Sequence, residues 1–351
     1  MKKNILSLLA LLVTSGFCFA QNNVSTITAT GNNNTSTVNQ AGNSNVADIT
    51  QIGDNNAGTQ SQTGTSNEAY IDQSATGNSS TQTQFGTSNL AQSWQTIGSN
   101  NNRSIQYQSG TDNDAVTEAL DGQNNQASQT QYGNLNNTNT HLHGNSNQSD
   151  QFQNGTGNDQ YTWVHGTSNF LYQSQGGQDN YGYVEQSGTG NRGNQYQSGS
   201  LNSASMYQYG DNNRGEQYTY QGPSNSAFAL QWGNGNWFRQ YSLGSSNLTY
   251  IWSEGNGNSA EQYQGYSLTF TGETLNSYNF EGATDANDAE INQFGDSNRA
   301  YQSQNDAGSH DAIAIQTGSD NFSLQQQHGN NQNSTITHTG SGNASFVNQN
   351  N

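Results

Sequence analysis

Few side chains in this 351-residue sequence are of a type and spacing that could support chemistry. His141 and His143 are one residue apart, so on a β-strand they would point to the same side, as ligands of a surface metal ion do. We favour a solvated histidine pair over a metal site. The motif G-x-S-x-G, which positions the serine of many hydrolases, does not occur. The sequence therefore predicts no catalytic residue, no metal and no cofactor.

Two other patterns have a simple explanation without a ligand. Residues 188–193 fit the dinucleotide-binding pattern G-x-G-x-x-G, but that loop needs a strand before it and a helix after it. The pairs Asp112/Asp114 and Asp285/Asp288 would suit weak calcium binding, although the calcium-binding repeat G-G-x-G-x-D is absent. We interpret the glycines as part of a repeat, and the acidic residues as groups that keep the chain soluble.

Composition excludes several classes of protein. Only 28% of residues are hydrophobic, too few for a conventional apolar core. The formal net charge of −18 lacks the basic surface that phosphate contacts require, so nucleic acid is not a predicted partner. The longest apolar run, residues 4–13, is too short to span a membrane. Composition alone would suggest disorder, but the sequence repeats regularly.

The first 20 residues have the pattern of a secretory signal peptide. Lys2 and Lys3 precede an apolar stretch that ends in the small residue Ala20, after which we expect cleavage. Cys18 leaves a lipoprotein signal as the alternative, which Phe17 fits poorly. Cleavage after Ala20 would remove the only cysteine, so the mature chain could form no disulfide.

The remaining sequence repeats every eleven residues as Q-x-G-x-x-N-x-(small)-x-x-x, beginning at Gln40. Glycine in every unit excludes a helix and predicts a tight arc, because glycine accepts a positive φ. The predicted arc glycines are Gly42, Gly53, Gly133, Gly144, Gly155, Gly166, Gly177, Gly188, Gly199 and Gly210.

Counting from the repeat asparagine as position 0, the residues at 0, +2, +4 and +6 are restricted, whereas those between them vary and carry the charges. Spacing by two predicts a β-strand with one buried face. The predicted core ladder includes Asn45, Ala47, Ile49, Gln51, Asn180, Gln186, Asn191, Gln197, Asn202 and Gln208.

One such strand cannot bury its own face, so two units should form a 22-residue coil of strand, arc, strand and arc. We predict an all-β fold, a cross-β solenoid in which about 14 such coils stack. Each buried amide would bond to the same residue type one coil above and below, as in amyloid ladders. The predicted segments are a signal peptide at 1–20, repeats at 21–264, an irregular insertion or loop at 265–275 and further repeats at 276–351.

Aromatic residues are concentrated in the middle of the chain. Tyr196, Tyr218, Tyr241 and Tyr263 all occupy position +5 on alternate units, so we expect them to stack as an exposed ladder. We favour cross-strand stabilisation as their role, with lateral fibre contacts or binding of glycans and dyes as the alternative.

With these positions assigned, the unit resembles the curlin repeat, S-x5-Q-x-G-x2-N-x-A-x3-Q, of the curli fibre subunits. Gln40, Gly42, Asn45, Ala47 and Gln51 match its central part position by position. The resemblance covers almost the whole chain after the signal peptide. The chain departs from the family by having many more repeats than its familiar five.

The resemblance implies a secreted subunit that assembles outside the cell into amyloid fibres of the biofilm matrix, which serve adhesion and scaffolding. It also implies a nucleator subunit and an outer-membrane secretion channel as partners. Both terminal repeats stay in phase, so we expect open strand edges that add further copies head to tail. The alternatives are a fibre nucleator, a soluble or surface-tethered solenoid adhesin and, less favoured, an enzyme or an ice-binding solenoid.

Overall fold

The alternation of restricted and variable residues produces β-strands throughout the structure. In β3 (Val46–Ile52), Ala47, Ile49 and Gln51 are buried while the residues between them face outward. The computed structural model describes residues 22–96, 98–120, 122–271, 274–280, 284–306 and 308–350, so the predicted signal peptide lies outside it. Within these ranges every regular element is a strand, and no helix of a length and hydropathy suited to crossing a membrane occurs.

Two long parallel sheets lie face to face. The first sheet contains, in spatial order, β1 (Val24–Thr30), β3, β5 (Glu68–Ser74), β7 (Leu90–Gln95), β9 (Asp114–Leu120), β11 (Asn137–Asn145), β13 (Asp159–Thr167), β15 (Tyr181–Thr189), β17 (Ser203–Tyr209), β19 (Ser226–Trp232), β21 (Leu248–Glu254), β26 (Asp288–Phe294), β28 (Asp311–Thr317) and β30 (Asn333–Thr339).

The second sheet contains β2 (Thr35–Asn43), β4 (Ala57–Thr65), β6 (Ser79–Thr87), β8 (Arg103–Thr111), β10 (Gln126–Asn134), β12 (Gln148–Thr156), β14 (Phe170–Gln178), β16 (Arg192–Ser200), β18 (Arg214–Tyr220), β20 (Trp237–Ser245), β22 (Ser259–Gln264), β27 (Arg299–Asn305), β29 (Phe322–His328) and β31 (Ala344–Asn350). The short strand β25 (Thr284–Asp285) pairs with the end of β20.

The register confirms the predicted solenoid. Ala47 pairs with Ala69, Ile49 with Ile71 and Gln51 with Gln73, so each residue lies beside the residue 22 positions further along. One strand of each sheet makes one coil. Extra residues in some units lengthen the arcs without shifting the strands; Gln82 therefore pairs with Gln106 across a spacing of 24.

One large insertion interrupts the repeat after β22. β23 (Tyr266–Thr271) and β24 (Thr274–Phe280) pair antiparallel as a hairpin. The spacing between matching residues rises to 40 across this insertion, from Gln262 to Gln302. We expected the irregular segment to end at 275; the hairpin instead ends at Phe280, and the repeats resume with β25.

The interior is thin and changes character along the rod. Its central part is apolar and includes Leu171, Val184, Met206 and Phe238. A Cβ added at Gly215 would lie 2.4 Å from the ring of Phe238, so this glycine makes room for the large neighbour on the next coil. Elsewhere the side-chain amides of Asn and Gln fill most of the interior, where each buried amide needs hydrogen-bond partners.

Candidate functional site: amide ladders, outer faces and edge strands

Asparagine side chains connect successive coils at the arcs. The Oδ1 of Asn45 accepts from the backbone N–H of Asn67 at 3.1 Å, and its Nδ2 donates to the carbonyl of Gly64 at 3.1 Å. Asn67 makes the same bonds one coil later, to Asn89 and Gly86. Each asparagine thus satisfies backbone groups that the tight arc would otherwise leave unpaired.

One of the two asparagine ladders changes residue type near its end. His310 is buried where an asparagine is expected, and its backbone N–H donates to the Oδ1 of Asn287. Its Nδ1 accepts from the backbone N–H of Gln332 at 3.3 Å, the role that Oδ1 plays elsewhere. Burial lowers the pKa of His310, which favours the neutral ring that can accept this bond.

Glutamine side chains form ladders between the two sheets. The Nε2 of Gln62 donates to the Oε1 of Gln84 at 2.9 Å, to the carbonyl of Val46 at 2.8 Å and to that of Asn67 at 3.0 Å. Gln62 therefore links its own strand to the next coil and to the opposite sheet. In the bonds between two ladder glutamines, the Nε2 of the lower-numbered residue donates to the Oε1 of the higher-numbered one, so the ladders have a direction.

The structure places the predicted core residues in this interior. All ten residues of the predicted core ladder are at most 3% exposed. Gln186 and Gln208 lie in the first sheet and Gln197 lies in the second. The predicted glutamines therefore belong to two different ladders.

Each arc contains two residues with a left-handed backbone conformation, and the sequence predicted only the glycine. All ten predicted arc glycines have φ between 92° and 143°. The second is the residue immediately before each repeat asparagine, for example Ser44 with φ 57° and Leu135 with φ 57°. Asn, Asp, Ser and Gly are frequent at this position, and that enrichment was the signal that could have revealed it.

The tyrosine ladder stacks on the outer face of the second sheet. The rings of Tyr196 and Tyr218 lie 4.9 Å apart and those of Tyr218 and Tyr241 4.5 Å apart, nearly parallel in both pairs. These three side chains are half-buried. Tyr263 also stacks on Tyr241, at 5.4 Å, but it is only 1% exposed, so its assignment to an exposed ladder is wrong.

Tyr263 is buried because its surroundings differ from those of the other three rings. It packs in a cluster with Tyr301, Phe322 and Leu324, and the chain leaves the coil for the β23–β24 hairpin shortly after it. Its hydroxyl donates to the carboxylate of Glu261. Burial raises the pKa of Glu261 to about 7, against the favourable effects of the Tyr263 hydroxyl and Arg239.

A second carboxylate on this face is held ionised. Glu216 lies between two arginines, with Arg214 Nη2 at 2.5 Å and Arg239 Nε at 2.9 Å from its oxygens. Burial opposes ionisation of Glu216, but the two guanidinium groups outweigh it and lower the pKa of the carboxyl. Opposite charges therefore compensate one another within this part of the second sheet.

The residues considered for metal or nucleotide binding have other partners. His141 Nδ1 lies 2.6 Å from Glu118 and its ring stacks on Trp163, so it is covered rather than solvated. His143 stacks on His165 at 4.6 Å. Among the described residues no cluster of three or more His, Cys, Asp or Glu could hold a metal ion.

The glycine pattern and the acidic pairs also belong to the repeat. Gly188 lies at the end of β15 and Gly190 directly after it, where the chain turns into β16 rather than into the helix that a dinucleotide loop needs. Asp112 is an exposed arc residue. Asp114 lies on β9, where burial raises the pKa of its carboxyl.

The terminal coils expose strand edges and apolar side chains. All seven residues of β1 are exposed, including Ile27 at 49%. At the other end of the rod Phe346 on β31 is 58% exposed. Backbone groups and ladder amides at both ends have the geometry to pair with another strand.

The comparison with known protein families agrees with the architecture. The family model of the curlin associated repeat matches residues 42–74, which run from the end of β2 through β5. The same register continues through the other coils of both sheets. No curated protein matches the chain. The repeat and the solenoid together indicate a structural protein.

Proposed function

Since the chain carries the curlin associated repeat, we propose that it is a secreted structural subunit that stacks head to tail into extracellular, curli-like amyloid fibres. The fibre serves adhesion and scaffolding of a biofilm matrix. Each added copy would extend both sheets by templated strand addition, so the proposed activity is assembly without a chemical step. Repetition of one coil along the rod supports this proposal, because a further copy can continue the same ladders.

The observation that carries the proposal is the likeness of the two terminal coils. Residues 24–41 and 333–350 are identical at 11 of 18 positions. Residues 24–41 share 8 of 18 positions with the following coil, 46–63, and residues 333–350 share 6 of 18 with the preceding coil, 311–328. Each terminal coil is therefore more similar to the other than to its own neighbour, as expected if the two meet in a fibre.

The likeness is greatest among the residues that would touch. If β1 and β2 of one copy continued the register of β30 and β31 of another, like residues would stack on like. The stacked pairs would be Ser25 on Ser334, Ile27 on Ile336, Val38 on Val347, Asn39 on Asn348 and Gln40 on Gln349.

Val38 and Val347 make the match specific. Both lie in a row of the second sheet that is otherwise glutamine on every coil from Gln60 to Gln325. Two valines that meet at the junction would bury apolar surface that is exposed at the ends of a single copy.

The direction of the glutamine ladders favours one polarity of stacking. The Nε2 of Gln40 donates to Gln62, which leaves its Oε1 directed toward the end of the rod. The Nε2 of Gln349 lies at the opposite end, because the Oε1 of Gln349 accepts from Gln327. A donor end and an acceptor end fit each other head to tail.

Export and partners belong to the same proposal. The signal peptide pattern at 1–20 supports secretion, and the family resemblance supports a nucleator subunit and an outer-membrane channel. Assembly outside the cell would suit a chain whose folded form exposes templating edges.

Seeded growth tests the proposal. The chain without residues 1–20 is purified in denaturant and diluted into buffer, and thioflavin fluorescence is followed with and without sonicated product, with imaging of the result. We expect seeds to shorten the lag and thin unbranched fibres to form. A stable monomer with β-type circular dichroism that ignores seeds would overturn the proposal and favour a monomeric adhesin.

A further inference from the structure

The two outer faces of the rod carry opposite sets of charged residues. We define the first face as the outward side chains of the first sheet and the second face as those of the second sheet. The first face holds eleven carboxylates and no arginine: Asp48, Glu68, Asp72, Asp114, Glu118, Asp159, Glu185, Glu254, Asp288, Glu290 and Asp311. The second face holds all five arginines: Arg103, Arg192, Arg214, Arg239 and Arg299.

The carboxylates on the second face cancel only part of its positive charge, since they are fewer than the five arginines. The strands of this sheet carry only Asp150, Glu216 and Glu261 as acidic residues. Glu216 is buried between two arginines and Glu261 is buried beside Tyr263. Exposed charge on this face therefore comes chiefly from arginine.

The part of the second face between β8 and β20 is open to a partner. Arg103, Arg192 and Arg214 are exposed there. Arg192 lies over the ring of Phe170 at 5.1 Å, which holds its guanidinium above the sheet. In β22, β27 and β29 of this sheet the side chains are largely buried. The three exposed arginines thus mark the accessible region.

The first face accumulates negative charge with no neutralising arginine of its own. Asp288 and Asp311 are cross-strand neighbours, and burial together with the charge of Asp311 raises the pKa of Asp288. These two carboxylates border an open groove of about 380 Å³ that also includes Leu248, Tyr250 and Glu290. An arginine from outside would find both carboxylates and an aromatic ring at this groove.

We propose that the second face of one copy pairs laterally with the first face of a second copy of this chain. Two first faces would oppose carboxylates to carboxylates, and two second faces would oppose arginine to arginine. Only the pairing of unlike faces brings opposite charges together. Because the two contacting surfaces differ, each copy in a pair still has one unpaired face. Further copies can therefore add, which would align rods side by side into sheets or bundles.

This pairing adds to head-to-tail stacking and is separable from it, because it uses the sheet faces rather than the strand edges. A pair of charge-reversed variants tests it. The first variant, Arg103→Glu with Arg192→Glu, makes both faces negative. The second, Glu254→Lys with Asp311→Lys, lowers the negative charge of the first face and places a lysine at its groove. Each variant should pair less well with itself, whereas the unchanged first face of the first variant and the unchanged second face of the second variant keep opposite signs.

We expect wild-type filaments to bundle at low salt and to separate in about 1 M NaCl, where the Debye length is only about 3 Å. Each variant alone should form single filaments, with bundled filaments reduced several-fold, and an equal mixture of the two should bundle again. Bundling of either variant alone to the extent of the wild type, or a mixture that bundles no more than the separate variants, would overturn the proposal.

A control separates face charge from net charge. Asp179→Lys with Asp320→Lys adds the same +4 as the second variant, but both residues are exposed in arcs. Leu135 occupies an equivalent left-handed position, so a long side chain fits there. This control should bundle like the wild type.

Circular dichroism establishes that each variant folds. If the folded chains form no filaments, the proposed fibre function fails, but sedimentation velocity of the same mixtures still decides lateral pairing. Association of the mixed variants but not of each alone would support it, and monomers in every sample would overturn it.

Discussion

The side-chain Nε2 of Gln186 lies 2.7 Å from the Oε1 of Gln208 one coil further along, and the Nε2 of Gln208 lies 2.8 Å from the Oε1 of Gln231. All three residues are fully buried. A chain this polar can fold because repetition supplies each buried amide with a partner of the same type. The same arrangement makes the interior intolerant of charge.

Replacing interior glutamines by glutamate should prevent assembly. In the triple variant Gln186→Glu, Gln197→Glu and Gln208→Glu, each buried carboxylate costs several kcal/mol, and together they approach the total stability of a domain. We expect no fibres at pH 7 and partial recovery near pH 4, where the carboxyl groups are protonated. Fibre yield by sedimentation measures both.

The matched control places three glutamates at exposed positions, with Gln123→Glu, Gln126→Glu and Gln178→Glu. This control should assemble like the wild type. Normal yield from the interior triple variant at pH 7 would contradict the ladder assignment.

Arc glycines should differ sharply in their tolerance of alanine. A Cβ at Gly177 would lie 1.9 Å from the carbonyl oxygen of Gly199 on the next coil, at φ +107°. Gly235 also has a positive φ, of +65°, but a Cβ there would meet no atom within 4 Å. We expect Gly177→Ala to cost at least about 3 kcal/mol and Gly235→Ala about 1 kcal/mol. Guanidinium midpoints compare them, and equal losses would argue against close stacking of the arcs.

Tyrosines of the ladder should contribute unequally. Tyr263 is buried in a ring cluster, so Tyr263→Ser should cost about 3–5 kcal/mol, as truncation of a buried aromatic residue does. Tyr196 is half-buried and stacks on Tyr218, so Tyr196→Ser should cost about 1 kcal/mol. Denaturant unfolding of the two variants measures the difference, and equal costs would place Tyr263 on the surface.

Glu261 should make stability depend on pH in an unusual direction. Its pKa of about 7 in the folded chain exceeds its ordinary value of 4.5, so the folded state retains a proton that the unfolded state releases. Its contribution is therefore complete below about pH 4.5 and is lost as pH rises through about 7, a change of about 3 kcal/mol.

The variant Glu261→Gln isolates this contribution because it does not titrate. The difference in unfolding free energy between wild type and Glu261→Gln should shift by about 3 kcal/mol against the wild type between pH 4.5 and pH 8. Parallel pH profiles would show that Glu261 ionises normally in the folded chain.

The sequence predicts the coil well because its two periods, two residues within a strand and eleven between arcs, come from residues that stack on the same residue type one coil away. Asn45, Ile49 and Gln51 are restricted for that reason, and the structure buries all three. The residue type of Leu135 gives no hint of its left-handed conformation; only its alignment with Asn, Asp, Ser and Gly in the other units indicates it. The burial of Tyr263 depends on residues from other coils, which a periodic pattern does not reveal.

The shared face of the five arginines is also difficult to recognise in the sequence. Alternate units belong to opposite sheets, so the arginines can be assigned to one face only after each strand has been assigned to its sheet. In the sequence they are scattered between Arg103 and Arg299 and form no motif.

Disulfide cross-linking across the head-to-tail junction is the most direct test of the account. In a Cys18→Ser background, which has no other cysteine, Thr28→Cys is combined with Thr337→Cys. If β30 of one copy pairs in register with β1 of the next, these Cα atoms lie about 4.8 Å apart, within disulfide range. The control pairs Thr28→Cys with Thr335→Cys, two residues out of register and beyond that range. We predict that oxidised fibres of the first variant yield a ladder of covalent oligomers and that the control yields monomers. Monomers from both variants, or equal ladders from both, would contradict head-to-tail stacking in this register.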